Sequence, residues 1–361
     1  MTKRTVEFWR VNGLVGDPAV YGFFPKTGAA VLFDLGYLDD LANKDLLKVR
    51  LALVSHTHID HFIGFDRLLR VNIPHFRPVE LVGPPGLIAN VEGKLKGYLW
   101  NLVEPDQIRF TVHEVDRAGS VKSAHLVNQT GFVPEATSCE PPRPGLIDPP
   151  LPPAPVASIA AFGDGTRFEA TALDHKTPSI AYACQLPMRF SVKSDVLEKY
   201  GLAPGPWIRE LQVAIGKHDL DLPFTVDGKR FRAEELGALI FDTYAPRPLG
   251  YMTDAGFTRS NIERAVQLFR GTETLVSETN YRDTEAVKAK DRMHLTTRQA
   301  ALIAAAAGVA RLEIFHLSNI YLDEAEAVVA EANTFFTAYR GLSPGELEAA
   351  IARELHRLGE R

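Results

Sequence analysis

The residues with the clearest chemical capacity lie in one short stretch, residues 54–62. Within it, three imidazoles and one carboxylate occupy four of six consecutive positions: His56, His58, Asp60 and His61. Nitrogen and oxygen ligands of this kind suit a borderline metal such as zinc. His56 and His58, two positions apart on extended backbone, can point at one ion, while Asp60 and His61 can reach a second ion nearby. A lone histidine is most often an ordinary core or surface residue, but four such groups together predict a metal site.

The segments on either side of this stretch predict how it is positioned. Residues 49–54 are apolar and typical of a strand, and residues 62–70 have the apolar spacing of a helix. The histidines are therefore predicted on a tight loop at the carboxyl end of a buried strand. In α/β sheets, functional groups collect at that end of the strands.

The pattern His-x-His-x-Asp-His after an apolar strand resembles the signature of the metallo-β-lactamase superfamily. The resemblance implies an α/β fold, the metallo-β-lactamase-type αββα four-layer sandwich. It also implies that the remaining metal ligands come from the ends of later strands.

Composition narrows the class of protein. The chain has 361 residues, of which 45% are hydrophobic and 24% charged, enough to bury a large core in one or two domains. The formal charge of −5 gives no overall attraction to nucleic acid, so a polyanion would need a local patch or a metal. Only Cys139 and Cys184 occur, which excludes a disulfide framework and a zinc ribbon. Without a signal peptide or a membrane-spanning run, a cytoplasmic protein with no membrane partner is expected.

The segments before the histidines predict supporting elements. Residues 5–10 and 29–36 are predicted as strands, and residues 17–28 as a connection with few groups capable of chemistry. Asp34 ends the second strand beside a glycine, which is typical of a turn or cap. In the superfamily an aspartate at this place braces the histidine loop, so the resemblance gives Asp34 a supporting role.

The segments after the histidines continue the alternation of strands and helices. Residues 77–100 predict a strand, a turn and a helix, and residues 107–132 predict strands with period-two alternation. Residues 134–156 are rich in proline, which excludes a helix or a central strand. A surface loop is predicted there, and a flap that covers the substrate is the alternative.

A second chemical stretch runs from Asp174 to Tyr182. Its sequence, Asp-His-Lys-Thr-Pro-Ser-Ile-Ala-Tyr, is similar to the His-x-x-Pro-Ser-x-Gly-Tyr segment of ribonuclease Z, the tRNA 3′-end endonuclease branch of the superfamily. In that family the histidine completes the first metal site, so the resemblance assigns this role to His175. Ala181 replaces the glycine of the family pattern.

Three later strand ends carry further candidate residues, Asp254, Glu278 and His316. A carboxylate at Asp254 could bridge two metal ions, as the resemblance to the superfamily's Gly-Asp-Thr segment implies. The segments around Glu278 and His316 resemble the His-Glu-Ala-Thr-Phe and Thr-His-Phe-Ser-x-Arg-Tyr phrases of ribonuclease Z. Ser277 and Ile320 depart from those phrases, standing where the family has histidine and arginine.

The segment that begins at His294 resembles the His-Ser-Thr-x-x-Gln-Ala phrase of ribonuclease Z. It opens a strongly helical run, for which Thr296 or Thr297 is the predicted N-cap. Two further helices, roughly residues 323–338 and 344–358, are rich in Ala, Glu and Leu and carry no predicted catalytic group.

Together these residues define a predicted centre for two divalent ions. The first ion is assigned His56, His58, His175 and bridging Asp254, and the second is assigned Asp60, His61, Asp254 and His316. The expected metal is zinc, with manganese as the alternative, and the ions would lower the pKa of a bridging water and clamp the attacked phosphate. Asp60 could also accept the proton of the attacking water. His294, oriented by Glu278, could donate a proton to the leaving alkoxide.

Residues 186–235 are predicted as an arm-like insertion. Residues Gly201 to Pro206 resemble the Gly-x-Pro-x-Gly-Pro phrase of the arm with which ribonuclease Z grips tRNA, with Ala203 in place of the first proline. Lys and Arg in this segment are balanced by Asp and Glu, so a packed insertion without an RNA role is the alternative. The predicted domain covers residues 1–322, including the proline-rich loop and the insertion, and the helices of residues 323–361 pack on the same domain.

Three functions are compatible with these residues. The resemblance to ribonuclease Z spans most of residues 29–321 and implies a zinc-dependent phosphodiesterase, a homodimer that acts on the 3′ trailer of a tRNA precursor. The alternatives are a hydrolase of a cyclic nucleotide, thioester or lactone on the same fold, and a non-catalytic binding protein. His294 favours a phosphodiester, because a poor alkoxide leaving group requires an acid. The family's Gly-Thr-rich opening loop has no counterpart before Asp34.

Overall fold

Two large β-sheets carry the strand ends at which the candidate residues lie. The computed structural model describes residues 6–75, 77–140, 156–217 and 219–359. Eight strands form the first sheet and are adjacent in chain order: β1 Glu7–Arg10, β2 Val20–Phe24, β3 Ala29–Phe33, β4 Val49–Leu53, β5 Val79–Gly83, β6 Arg109–Val115, β7 Val121–Val127 and β8 Glu135–Glu140. From β3 to β6 the strands are parallel, so their carboxyl ends meet at one edge of the sheet.

The second sheet combines a parallel half with an antiparallel half. The remaining strands are β9 Ala157–Ala161, β10 Thr166–Asp174, β11 Pro178–Gln185, β12 Arg189–Val192, β13 Pro223–Val226, β14 Lys229–Arg232, β15 Phe241–Tyr244, β16 Leu249–Met252, β17 Thr274–Glu278 and β18 Arg311–Phe315. Six of them form the second sheet in the order β18-β17-β16-β11-β10-β9. Strands β16, β17 and β18 are parallel, so this sheet also presents neighbouring carboxyl ends.

Helices connect the strands and cover the sheets. They are α1 Asn43–Leu46, α2 Ile59–Phe62, α3 Phe65–Asn72, α4 Leu87–Lys96, α5 Ser194–Tyr200, α6 Trp207–Gly216, α7 Ala233–Ile240, α8 Arg259–Phe269, α9 Ala286–Arg292, α10 Thr297–Ala306, α11 Ala325–Tyr339 and α12 Pro344–Arg357. Short 3-10 helices cover Ile73–His75, Asn128–Thr130, Asp283–Glu285 and Asn319–Glu324. Over the described residues, none of the helices has both the length and the apolar character that a membrane crossing requires.

The two sheets face each other across a layer of aromatic rings. The ring centroid of Phe33 in β3 lies 5.9 Å from that of Phe168 in β10 and 5.2 Å from that of Tyr251 in β16. On the outer sides, one hydrophobic cluster joins the first sheet to α3 and α4, and another joins the second sheet to α8, α10, α11 and α12. This layering of helix, sheet, sheet and helix confirms the predicted α/β four-layer sandwich.

Strand β3 shows how the sequence specifies a central position. All five of its residues, Ala29–Phe33, are buried, and they form a continuous apolar run without polar alternation. Such a run is typical of a parallel strand covered on both faces. Strand β4, Val49–Leu53, is similar, since all of its residues except the half-buried Arg50 are apolar and buried. Both strands therefore end in the interior of the protein, next to the candidate site.

The segment Leu186–Pro246 forms a compact unit of its own. It contains α5, α6, α7 and the strand pairs β12-β15 and β13-β14. Its own hydrophobic core includes the buried residues Leu197, Leu211, Phe224, Leu236 and Ile240. The amide of Leu186 donates a hydrogen bond of 2.8 Å to the carbonyl oxygen of Pro246, so the two ends of the unit are adjacent.

Two predictions from the sequence differ from the structure. Residues 17–28 were predicted as a connection, but Val20–Phe24 form β2, whose mostly buried residues show no polar alternation to mark them as a strand. The proline-rich segment, residues 134–156, was predicted as a loop, but Glu135–Glu140 form β8. These six residues lack proline, and β8 lies at the sheet edge, where a strand pairs on one side only. Residues 141–155 lie outside the described residues.

The predicted C-terminal helices are confirmed as α11 and α12, and their ends follow the expected capping rules. Ser343 caps α12 by accepting from the amide of Glu346, and Pro344 occupies the first helical position. Thr296 is the N-cap of α10, as predicted, and forms a reciprocal capping box with Gln299. Both C-terminal helices contribute to the hydrophobic cluster that also contains α10.

The close approach at Gly64 supplies the first prediction. A Cβ atom at Gly64 would overlap the carbonyl oxygen of Gly36 and lie 2.8 Å from Cγ of Leu38. We expect Gly64→Ala to lower the free energy of unfolding by about 1–3 kcal/mol, because backbone must move to admit the methyl group.

The matched control is Gly93→Ala, in the exposed part of α4, where a Cβ meets nothing within 4 Å. Because alanine favours helix over glycine, this change should raise stability by about 0.5–1 kcal/mol. Urea unfolding monitored by circular dichroism measures both variants. Equal effects of the two changes would contradict the close approach.

Candidate metal centre

The histidine loop is anchored by one buried carboxylate. Asp34 follows β3 with φ of 56° and is fully buried. It accepts hydrogen bonds from the amide of Ser55 (2.6 Å), the hydroxyl of Ser55 (2.8 Å), Nδ1 of His61 (2.9 Å) and the hydroxyl of Tyr251 (2.7 Å). The brace implied by the resemblance is thus present. Because a carboxylate only accepts, Nδ1 of His61 carries a proton and Nε2 is left free for another partner.

Short backbone contacts hold the rest of the loop. His58 is the N-cap of α2, which places Asp60 and His61 in its first turn. The amide of Leu35 donates to the carbonyl of His61 (2.9 Å), and the amide of Gly64 donates to the carbonyl of Leu35 (2.7 Å). The segment after β3 and the helix after β4 are therefore joined on both sides of the metal motif.

One group of potential ligand atoms gathers around His56. Its members are His56, His58, His175 and Asp254, whose ligand atoms all lie within 4.8 Å of one another. Nε2 of His56 lies 2.9 Å from Nδ1 of His58, and Nε2 of His175 lies 3.5 Å from Oδ2 of Asp254. Burial lowers the pKa of His56 to about 2, with a further contribution from His61. His56 is therefore neutral and has a lone pair available for a metal ion.

A second group lies on the other side of Asp254. Its members are Asp60, His61 and His316. Nε2 of His61 lies 3.4 Å from Oδ2 of Asp60, and Nε2 of His316 lies 3.7 Å from the same oxygen. His316 follows β18 with φ of 55°, a turn that ends the strand at the site. Burial raises the pKa of Asp60, but the neighbouring imidazoles of His61 and His316 outweigh burial and lower that pKa to about 2.

Asp254 lies between the two groups. Its Oδ2 is 3.5 Å from Nε2 of His61 and 3.9 Å from Nε2 of His56, while its Oδ1 is 3.2 Å from Nε2 of His316. Burial raises the pKa of this carboxyl group, but the charges of His61 and His316 outweigh burial and hold the pKa well below its usual range. An ionised carboxylate whose oxygens lie within 4 Å of histidine nitrogens from both groups has the position of a bridging ligand.

The chemistry of these donors fits divalent metal ions. Nε2 of His61 is buried and has no hydrogen-bond partner, a state that proteins avoid unless another ligand occupies the space. Imidazole nitrogens dominate the set and carboxylate oxygens complete it, as in zinc-class sites. The seven residues predicted as ligands are therefore brought together in two groups, and Asp254 of the first group also lies within 3.5 Å of His61 and His316 of the second.

A third group pairs His294 with Glu278 beside Asp254. Glu278 is fully buried and accepts from the amides of Ala255 (3.1 Å) and Leu295 (3.2 Å). Nδ1 of His294 lies 3.3 Å from both oxygens of Glu278. Burial alone would lower the pKa of His294, but Glu278 outweighs it and raises that pKa to about 9. His294 is therefore protonated at neutral pH.

Two residues near the centre escaped the sequence analysis. Asp17 is half-buried, and burial followed by the charge of Asp60 raises its pKa, so its carboxyl group lies near the second group of ligands. Its sequence, Gly-Asp-Pro, predicts only a turn. Tyr251 resembles a core residue of β16 in the sequence, and only the structure shows its hydroxyl donating to Asp34.

Comparison with known proteins places this centre in context. No protein-family model matches the sequence. The chain is 31% identical over 320 residues to ribonuclease Z of Deinococcus radiodurans, covering 87% of this chain and 90% of that protein. It is 34% identical over 278 residues to ribonuclease Z of Kineococcus radiotolerans, covering 74% of each. Among solved structures, the metallo-β-lactamase fold protein YhfI from Bacillus subtilis matches with a TM-score of 0.49 and 14% identity, over 92% of this chain and 93% of that chain.

The four-layer sandwich, and the histidine and aspartate side chains that could hold a metal ion at its strand ends, are those of a hydrolase of the metallo-β-lactamase fold. Within that class, the identity shared along most of the chain with the Deinococcus protein shows that the chain belongs to the ribonuclease Z family. The predicted membership of the metallo-β-lactamase superfamily and of its ribonuclease Z branch is confirmed.

The shared position of Asp254 supplies the second prediction. We expect Asp254→Ala to lose both ions and His58→Ala to weaken only the first, because Asp254 contacts both groups and His58 belongs to one. Loss of a direct ligand should lower metal affinity by more than the roughly 10–100-fold typical of residues that only support a ligand. Metal analysis after dialysis against a weak chelator measures the number of ions retained per chain.

The matched control is Asp106→Asn, an exposed carboxylate paired with Arg109. It should retain the metal content of the unchanged protein. Unchanged metal content in both Asp254→Ala and His58→Ala would disprove the assignment of these ligands.

Proposed function

We propose that this phosphodiesterase of ribonuclease Z type uses two zinc ions to release the 3′ trailer of a tRNA precursor. The observation that carries the proposal is the position of Asp254, between two groups of ligand atoms and beside His294. The predominance of imidazole nitrogen favours zinc over manganese, which prefers oxygen ligands. When bound, two such ions supply an activated water and neutralise charge on the attacked phosphate.

Asp60 is the proposed acceptor for the proton of the attacking water. Its carboxylate is ionised and 37% exposed, and it lies at the edge of the second group. Its Oδ2 lies 3.4 Å from Nε2 of His61 and 3.7 Å from Nε2 of His316, so the carboxylate faces the shared centre. Asp60 can therefore act both as a ligand and as a base, since its two oxygens can serve different partners.

His294 is the proposed donor for the leaving alkoxide. Its Nδ1 faces Glu278 and Asp254, at 3.3 Å and 3.9 Å from their oxygens. The imidazole is 15% exposed, so a substrate can reach it from solvent. Glu278 has no exposed surface and is held by the backbone amides of Ala255 and Leu295, so it can orient the imidazole. This pair can protonate a poor leaving group, which a phosphodiester of ribose requires.

The unit Leu186–Pro246 is the proposed arm. The predicted insertion ended at residue 235, but β15 pairs with β12 and extends the unit to Pro246. The unit contains eight Lys or Arg residues and nine Asp or Glu residues. Arg232 is paired with Asp221 and Glu235, so part of its basic charge is already neutralised. A deletion of this unit therefore tests its proposed contact with the tRNA precursor directly.

The proposal also covers the domain bounds, the oligomeric state and the location of the protein. Residues 1–322 form the catalytic domain with its insertion, and residues 323–361 pack against it as two helices. A homodimer in the cytoplasm is proposed on the resemblance to the family, and light scattering measures the dimer directly.

The third prediction concerns the leaving group. We expect His294→Ala to lower kcat by about 10²–10⁴ for a diester that releases a ribose alkoxide, because the departing oxygen loses its proton donor. The effect should be small for a nitrophenolate ester, whose leaving group departs without a proton. Glu278→Gln should show the same pattern more weakly. Steady-state kinetics on the two substrates provides the measurement.

The matched control is His125→Ala, an exposed histidine of β7 that contacts Thr111. It should leave both rates unchanged. Metal content must stay constant in His294→Ala. Loss of metal, or equal slowing of both leaving groups, would refute the donor role.

The fourth prediction concerns the arm and the substrate. The full chain loaded with zinc should cleave a tRNA precursor. Because Cys184 pairs with Leu249 in an antiparallel register, which continues to Leu186 opposite Arg247, residues 187–246 can be replaced by an Asn-Gly turn that closes β11 and β16 into a hairpin. This deletion should abolish cleavage of the precursor and spare a small aryl phosphodiester.

The outcome separates the candidate functions. Equal loss of both activities after deletion would mean that the unit only supports the fold. Hydrolysis of a cyclic nucleotide, thioester or lactone by the full chain, without cleavage of the precursor, would favour the small-molecule alternative.

A further inference from the structure

Asn261 is a buried polar residue close to the metal centre that has no part in the proposed reaction. It lies in the first turn of α8, three residues after the N-cap Thr258, and is 3% exposed. Polar residues in a first helical turn commonly face solvent or the free amides of their own helix. The side chain of Asn261 instead contacts two loops that precede and follow metal-ligand positions.

The amide group of Asn261 makes three hydrogen bonds to backbone. Its Oδ1 accepts from the amide of Asp174 (2.8 Å), and its Nδ2 donates to the carbonyl of the same residue (2.9 Å). Nδ2 also donates to the carbonyl of Gly256 (2.8 Å). The side chain thus bonds to both the amide and the carbonyl of Asp174, as the backbone of a neighbouring strand does. It also links Asp174 to Gly256.

The two residues joined in this way flank two of the proposed ligands. Asp174 is the last residue of β10 and directly precedes His175, while Gly256 lies two positions after Asp254. A direct bond from the amide of Gly256 to the carbonyl of Asp174 (3.0 Å) shows that the loops meet here. Nε2 of His175 and Oδ2 of Asp254 are 3.5 Å apart, so a small shift of either loop would separate the two ligands.

We infer that Asn261 is a positioning residue that sets the separation of His175 and Asp254 for the first metal ion. The inference rests on the proposed two-ion function and adds a residue that acts only through backbone. The orientation of the His175 ring has a separate cause, because its Nδ1 donates to the carbonyl of Met293 (2.8 Å). Asn261 therefore controls where His175 stands and not which nitrogen faces the ion.

Asn261→Asp is the sharpest variant for a test. It keeps the shape of the side chain and the oxygen that accepts from Asp174. It replaces the donor Nδ2 by an oxygen that faces two carbonyl oxygens, so both donated bonds are lost. A carboxylate in the first turn of a helix is favourable to the helix itself. A loss of metal affinity would then result from the loss of the two hydrogen bonds to Asp174 and Gly256, and not from destabilisation of α8.

The fifth prediction is a selective loss of zinc affinity. Competition with a chromophoric chelator should show two tight ions for the unchanged protein. In Asn261→Asp, one ion should bind roughly 10–100-fold more weakly, as is typical when a partner of a metal ligand is removed. Asn261→Ser, which replaces the carboxamide by a shorter hydroxyl group without adding a charge, should also weaken one ion and serves if the first variant does not fold. Raised zinc concentration should restore part of the aryl phosphodiesterase rate.

The matched control is Thr258→Ala, which removes the hydroxyl that accepts from the amide of Asn261 and caps the same helix. It should lower the midpoint of thermal unfolding and leave both zinc affinities unchanged. Two ions bound by Asn261→Asp and Asn261→Ser as tightly as by the unchanged protein would overturn the inference. Failure of the unchanged protein to bind two ions would instead overturn the proposed function.

Discussion

The buried carboxylate of Asp34 is the interaction on which the arrangement of the centre depends. A charge without exposed surface is tolerated only when it is paired and hydrogen-bonded, and here it has four donated bonds. Ser55 and His61 follow a strand of the first sheet, whereas Tyr251 belongs to the second. One side chain therefore fastens the histidine loop, fixes the proton on His61 and links the facing sheets, so fold and metal chemistry share a single support.

The register of the parallel strands in the second sheet sets the positions of the candidate residues at their ends. In β16, β17 and β18 the ladder pairs Met252 with Ser277 and Glu278 with Phe315. The candidate residues at the ends of these strands, Asp254, Glu278 and His316, therefore lie side by side, although they are far apart in the chain. A displacement of one strand by a single residue would turn its side chains to the opposite face and remove a ligand. The register, more than any local turn, brings Asp254 within reach of His316.

The sequence predicted most of this centre because its signals are local. A histidine cluster after an apolar strand, or His294 before a helix cap, can be recognised within about ten residues. The contributions of Asp17 and Asn261 could not be predicted in this way. Each lies in an ordinary turn or helix start, but Asn261 bonds to Asp174, 87 residues away in sequence, and the charges of Asp60 and His316 act on Asp17. Strand β2 was missed for a related reason, since burial on both faces removes the alternation that marks a strand.

The adjacent ends of Leu186–Pro246 have a consequence for how such an enzyme can diversify. An insertion that leaves and re-enters at neighbouring antiparallel strands is, for the rest of the chain, a hairpin connection of unusual length. The entropy of closing such a connection grows only with the logarithm of its length. Evolution can therefore lengthen, shorten or exchange this unit at little thermodynamic penalty to the catalytic sandwich. The unit and the strand ends that carry the candidate ligands can in this way change independently of each other.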